Sequence, residues 1–302
     1  MNRLLHLLGG KRIADAFRAT VSGDPSGAPD WSKQMAVGND VGFFGPDSDT
    51  WKVHGSLSTL VGGVRALLMQ AAYPAALAGV AQHSQYDTDP LGRLERTTRW
   101  LTITSFGSTE AIEREASRVR SMHKRVSGSY QDNQVEHRYS AEQERHLLWV
   151  HCAFTDSFLT AYREVNLPDS VNVDNYVHEW SKSAEPLGLL NAPKSDTELA
   201  SVLDDFLNNE IRPIAMTPEI VKFLVNPPFS LFAMPFYRIL CNAAISTMDP
   251  RVLAVLGLSP KSRIWLVVVR PILRILGMIL GAESPSQTIA RERIKRITST
   301  HE

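Results

Sequence analysis

Residues 60–80 read LVGGVRALLMQAAYPAALAGV. The stretch is apolar almost all round and holds no Asp or Glu. A helix of that composition is buried in a large core rather than laid on a surface. Gly62-Gly63 and the alanines allow close approach of neighbouring elements, and Pro74 is expected to kink the helix. Working outward, the spacing of apolar residues predicts a second helix over 91–106. It opens just after Pro90 and stops at Gly107. A third, over 109–127, has Glu110 and Glu113 near its start, which suits the helix dipole. A fourth is read from Ser140 to Val165, with Ser140-Ala-Glu-Gln143 as a capping box. Segments 196–207, 218–225, 229–247 and 264–281 also read as helices, and alternating strand-like runs are rare. The expected fold class is all-α, a single large helical domain.

Around that domain, residues 20–50 are rich in Gly, Asp, Ser and Pro. The expected organisation is an irregular N-terminal arm over 1–40, the helical domain over 41–285 and a polar C-terminal tail over 286–302. With 32 Lys+Arg against 32 Asp+Glu the chain is formally neutral, which argues against a nucleic-acid partner. At 43% hydrophobic and 21% charged residues the composition is that of a globular protein. Cys152 and Cys241 are the only cysteines, too few for a disulfide framework or a structural zinc site. The leucines of 1–8 end too early, at Gly9-Gly10-Lys11-Arg12, for a signal-peptide core, so a cytoplasmic location is expected. The most membrane-like segment is IWLVVVRPILRILGMILG (264–281). Arg270 and Arg274 inside it are costly in a span, so a packed helix is favoured over a basic interfacial helix in peripheral membrane contact.

The chain has no G-x-G-x-x-G, Walker loop, H-E-x-x-H, G-x-S-x-G or EF-hand loop. Histidine remains. His123 continues the spacing of Ile112, Ala116, Val119 and Val126 and so points inward, with Arg118, Arg120, Lys124 and Arg125 around it. A neutral imidazole in an apolar cavity can ligate haem iron, and basic neighbours suit haem propionates. A core histidine bonded to a carbonyl has the same pattern, and the pattern alone favours it. His151 lies on the stripe Leu147, His151, Phe154, Phe158, Tyr162 and is open to the same readings, or to that of a distal hydrogen-bonding group. Arg93, Arg96, Thr97 and Trp100 fall at i, i+3, i+4 and i+7, on one helix face. Such a face binds an anion, stabilises developing negative charge, or is simply solvated. His54 and His83 flank the apolar helix, where no metal site is read.

Taken in order, GFFGPDSDTWKVHG (42–55), residues 60–84, DPLGRLERT (89–97), FGS (106–108), MHKRVSG (122–128) and LLWVH (147–151) resemble the latex-clearing protein / MpaB-type oxygenase family over roughly 40–280. The resemblance implies a globin-like helical core, a haem b cofactor with its iron, and oxygenase chemistry on O2. It makes His123 the counterpart of the proximal iron ligand and Arg120 that of the basic residue one turn before. Arg93 and Thr97 match the distal R-x-x-[KR]-T motif, and Arg96 stands where the latex-clearing branch has a lysine that caps the iron. Two departures stand out. Residues 60–80 lack the glutamate of the rubber-cleaving branch, and an arginine does not deprotonate to ligate iron. The expected activity is therefore a haem-dependent oxygenase acting on a small apolar substrate, isoprenoid or lipid-like, rather than on polyisoprene. The rivals are a non-catalytic haem- or lipid-binding protein and a membrane-surface protein built around 264–281.

Overall fold

The computed structural model describes residues 10–84, 90–168, 170–231 and 233–300. The long apolar stretch forms two helices, α3 (Thr59–Ala71) and α4 (Pro74–His83), which meet at 102°. Pro74 does more than kink the run. It sits in the first turn of α4, where its missing N–H leaves nothing unsatisfied. Tyr73, before it, is held extended at φ −100°, ψ 115°, as a pre-proline residue prefers. Ahead of these lie α1 (Lys11–Ser22), a 3-10 helix (Asp30–Ala36) and α2 (Asp49–Gly55). After them come α5 (Pro90–Phe106), α6 (Thr109–His123), β1 (Ser127–Asp132), β2 (Val135–Ser140) and α7 (Glu144–Val165). The remainder is α8 (Val173–Ser181), α9 (Asp196–Asn209), α10 (Thr217–Val225), α11 (Met234–Ile245), α12 (Pro250–Leu256), α13 (Ile264–Leu280) and α14 (Pro285–Thr300). The fold is mainly α-helical, as the periodicity predicts.

The core is centred where α3 packs along α7, more extensively than any other pair of elements. At the crossing a Cβ on Gly62 would lie 2.7 Å from Phe158 Cδ1 and 3.2 Å from the Ser157 carbonyl, whereas one on Gly63 would meet nothing within 4 Å. Only the first glycine of the pair is needed for close approach. Gly62→Ala is therefore expected to destabilise by about 1–3 kcal/mol through overpacking. Gly63→Ala is expected to stabilise by about 0.5–1 kcal/mol through helix propensity. Urea unfolding of the two variants checks the opposite signs.

Three expectations are corrected. A hairpin, β1–β2, occupies the end of the third predicted helix and the start of the fourth. Its two-residue turn places Asn133 and Gln134 at φ 47° and 70°, the left-handed pair that matches strand twist. Ser140 is the last residue of β2, and α7 begins after Gln143, whose side chain makes no capping bond. The expected irregular arm contains α1, which ends on Gly23 at φ 76°, and buries Trp31 and Met35. The expected polar tail is α14, whose Ser286, Ala290 and Arg293 face inward. Arg293 is fully buried and donates to the carbonyls of Met35 (2.6 Å), Phe106 (3.0 Å) and Val41 (3.2 Å), tying the N-terminal segment to the core.

In α13, Leu266, Val269, Leu273 and Leu276 are buried, while Ile264, Val267, Ile275 and Met278 are exposed. Arg270 Nε donates to the Glu164 carbonyl at 2.8 Å, so one of the two arginines inside the segment is used in packing against α7. Among the described residues no single helix is long and apolar enough to cross a membrane.

Candidate functional site

Residues of α4, α5, α6 and α7, with the segment after α8, line a cavity of about 560 Å³. That size lies within the range of cofactor and small-molecule sites. α5 contributes Arg96, Thr97 and Trp100 to the wall, α6 contributes Arg118, Met122 and His123, and α7 contributes His146, Val150, His151 and Phe154. Among the described residues no Asp or Glu lines the cavity. The α3–α4 bend brings Gln70, Ala75 and Ala76 to the same wall.

His123 is the last residue of α6, a helix started by Ser108, whose side chain accepts from the Ala111 N–H. Burial lowers its pKa and Glu142 partly opposes this. Burial pushes His151 down to about 4. Both imidazoles are thus neutral near pH 7, and the described residues offer neither ring a hydrogen-bond partner. That differs from the carbonyl-bonded core histidine that the pattern favours. His54 is a satisfied core histidine, bonded to hydroxyls rather than to a carbonyl. Its Nε2 lies 2.9 Å from Tyr176 Oη and its Nδ1 3.0 Å from Ser105 Oγ, and its ring centroid is 4.2 Å from that of Trp180, which separates it from the cavity.

Burial brings His54 down to about 3. Below a pH of about 6.5 the unfolded chain protonates this residue and the folded protein does not. Stability therefore falls as pH falls, by up to about 1.4 kcal/mol per pH unit, until the folded pKa is reached. Unfolding free energies of the native protein between pH 6 and 4 are expected to slope more steeply than those of His54→Gln. Equal slopes would contradict the assignment.

The cavity gathers His123, His151, Arg96 and Thr97, four of the residues singled out from the sequence. Arg120 is not among the lining residues and donates to the Pro186 carbonyl, fixing the end of α6 against the segment after α8. Arg93 is on α5, but its side chain lies outside the described residues. Arg118 lines the wall while sharing the buried carboxylate of Glu115 with Arg99. Lys124 and Arg125 are exposed and off the wall. Gln70, His146 and Trp180 were not singled out. His146 is four residues before Val150, so helical spacing carried the signal, and the capping-box reading masked it.

A set of three or more His, Cys, Asp or Glu side chains able to hold a bare metal ion does not occur among the described residues. A haem needs no such set, because the porphyrin supplies four nitrogens and the protein one axial ligand. The described wall fits those needs: a neutral imidazole that no described residue bonds at His123, guanidiniums at Arg96 and Arg118, and no carboxylate among the described lining residues.

No curated protein and no solved structure matches the chain. Residues 51–278 match the family described as "ER-bound oxygenase mpaB/B'/Rubber oxygenase, catalytic domain". That span runs from α2 to near the end of α13 and includes every element lining the cavity. The protein therefore belongs to the mpaB/rubber oxygenase family, a family of oxygenases.

Proposed function

We propose that the protein is a haem b-dependent oxygenase that uses O2 on an apolar small molecule, isoprenoid or lipid-like. The observation that carries this reading is His123, a half-buried imidazole that burial keeps neutral and that no described residue bonds, on the wall of a cavity bearing Arg96 and Arg118. His123 would hold the iron, and Arg120 would fix the end of its helix through Pro186. Arg118, oriented by Glu115, offers positive charge to the propionates. Arg96 and Thr97, with Arg93 on the same helix, supply donors that stabilise negative charge. The aliphatic side chains of α4 and α7 exclude water from the substrate. The haem, when bound, supplies the activation of O2.

His151, also neutral and bonded by no described residue, is the second candidate for iron or distal-side contact. Peripheral membrane contact, if made, would use the exposed stripe Ile264, Val267, Ile275 and Met278 of α13 with Arg274 beside it. The absorption spectrum of protein purified from a haem-replete host tests the reading. A Soret band is expected, and a colourless protein that takes up no haem on reconstitution overturns it. The absence of any carboxylate from the described cavity wall favours one rival, a non-catalytic haem- or lipid-binding protein. Oxygen consumption by the haem-loaded protein with apolar substrates separates the two.

A further inference from the structure

The two sides of α13 are both apolar, and the fold uses one of them. Leu266, Val269, Leu273 and Leu276 are buried, where α13 packs on α7 and α11. On the other side Ile264, Val267, Pro271, Ile275 and Met278 recur at i, i+3, i+7, i+11 and i+14 and so form one stripe. Its four long side chains are 42% to 56% exposed, and at the rise of a helix the stripe runs for about 20 Å. A continuous exposed apolar strip with a polar rim marks a binding surface.

The rim decides what binds. From Gly257 to Ala282 the chain has Lys261, Arg263, Arg270 and Arg274 and no Asp or Glu. The three arginines are spaced i, i+7 and i+11, along a single flank of the stripe. Arg263 and Arg270 share one carboxylate, that of Glu164 at the end of α7. It pairs with Arg263, and its Oε2 lies 3.9 Å from Arg270 Nη2. One negative charge thus serves two guanidiniums. Arg274 and Lys261 are exposed, and no described residue bonds either. The flank keeps an excess of positive charge beside an apolar strip. That combination matches the interface of an anionic bilayer, where aliphatic side chains enter among the acyl chains and cations reach the phosphates. A second copy of the chain matches it poorly, because a two-fold pairing of this face would bring only positive charges together.

We propose that α13 docks the protein on a negatively charged lipid surface. The helix lies in the plane of the interface, with Ile264, Val267, Ile275 and Met278 inserted and Lys261, Arg263, Arg270 and Arg274 toward the lipid phosphates. No residue of α13 lines the cavity, so this surface stands independently of the oxygenase reading.

The test is flotation of the full-length protein with vesicles of phosphatidylcholine alone and of phosphatidylcholine mixed with phosphatidylserine. Binding is expected to be at least about tenfold tighter to the mixed vesicles, with the advantage shrinking as salt is raised. Arg274→Glu is expected to weaken binding to the mixed vesicles about tenfold and to leave binding to phosphatidylcholine within about twofold. Val267→Asp combined with Ile275→Asp is expected to weaken binding to both at least about tenfold. Leu190→Asp places a carboxylate at an exposed leucine outside α13 and is expected to change neither by more than about twofold. These positions are exposed, so far-ultraviolet circular dichroism should be unchanged in every variant. Equal affinity for the two vesicles, or binding that survives the double substitution, overturns the proposal. So does a protein that binds no vesicle. Self-association that Val267→Asp abolishes would then assign the face to a second copy. The absorption spectrum of the same preparations keeps the two readings apart. A haem-free protein that cannot be reconstituted, yet floats with the mixed vesicles, sinks the oxygenase reading and leaves the docking face. A haem-loaded protein that does not float does the reverse.

Discussion

Replacing His123 by alanine is expected to abolish the Soret band of protein purified from a haem-replete host. His123 ends α6 on the cavity wall, with a ring that burial keeps neutral and that no described residue bonds. Nothing structural is left unsatisfied by its removal, so the variant should fold with near-native stability, and its far-ultraviolet circular dichroism should be unchanged. The vacated volume then admits free imidazole, which is expected to restore the band. His151→Ala is the companion measurement. It should retain the band if His123 is the axial ligand and lose it if the two roles are exchanged. Arg120→Ala should retain it as well, since its guanidinium bonds the Pro186 carbonyl and is not on the wall.

Glu115→Ala is expected to give a large loss of stability. The fully buried carboxylate of Glu115 accepts from Arg99 Nε and from Arg118 Nε, each at 2.9 Å. It is the charge that allows two guanidiniums to sit side by side between α5 and α6. Removing one partner of a buried ion pair costs about 3–5 kcal/mol because the remaining charge is left uncompensated. Here Arg99 and Arg118 keep partial access to solvent, so a value near about 3 kcal/mol is expected. Urea unfolding checks this. A cost below about 1 kcal/mol would show that solvent, not Glu115, compensates the pair. Because Arg118 lines the cavity, the same variant is expected to weaken haem retention in protein that remains folded.

The helices were legible in the sequence because burial imposes a period. The 91–106 and 109–127 segments lie within a few residues of α5 and α6, and Gly107 and Ser108 mark the junction between them as their chemistry requires. The hairpin escaped because its strands are short and polar and its turn depends on left-handed Asn133 and Gln134 rather than on an Asn-Gly pair. The α14 helix escaped because its anchor is an arginine. Burial of Arg293 depends on three carbonyls distant in sequence, which no local pattern reveals. At the site, inward stripes pointed to His123 and His151, and the i, i+3, i+4 face pointed to Arg96 and Thr97. Arg120 has the same local context as Arg118, and only the tertiary position of Pro186 separates the two. His146 and Gln70 depend on the bend at Pro74, whose angle a sequence does not carry.

The most direct measurement is a haemin titration of the haem-free protein, read by difference absorbance, for the native chain and for His123→Ala. Saturation at one haem per chain in the native protein, with no saturable binding in the variant, is the expected result. A native protein without saturable binding, or a variant that saturates identically, would contradict the assignment of this cavity as a haem site held by His123.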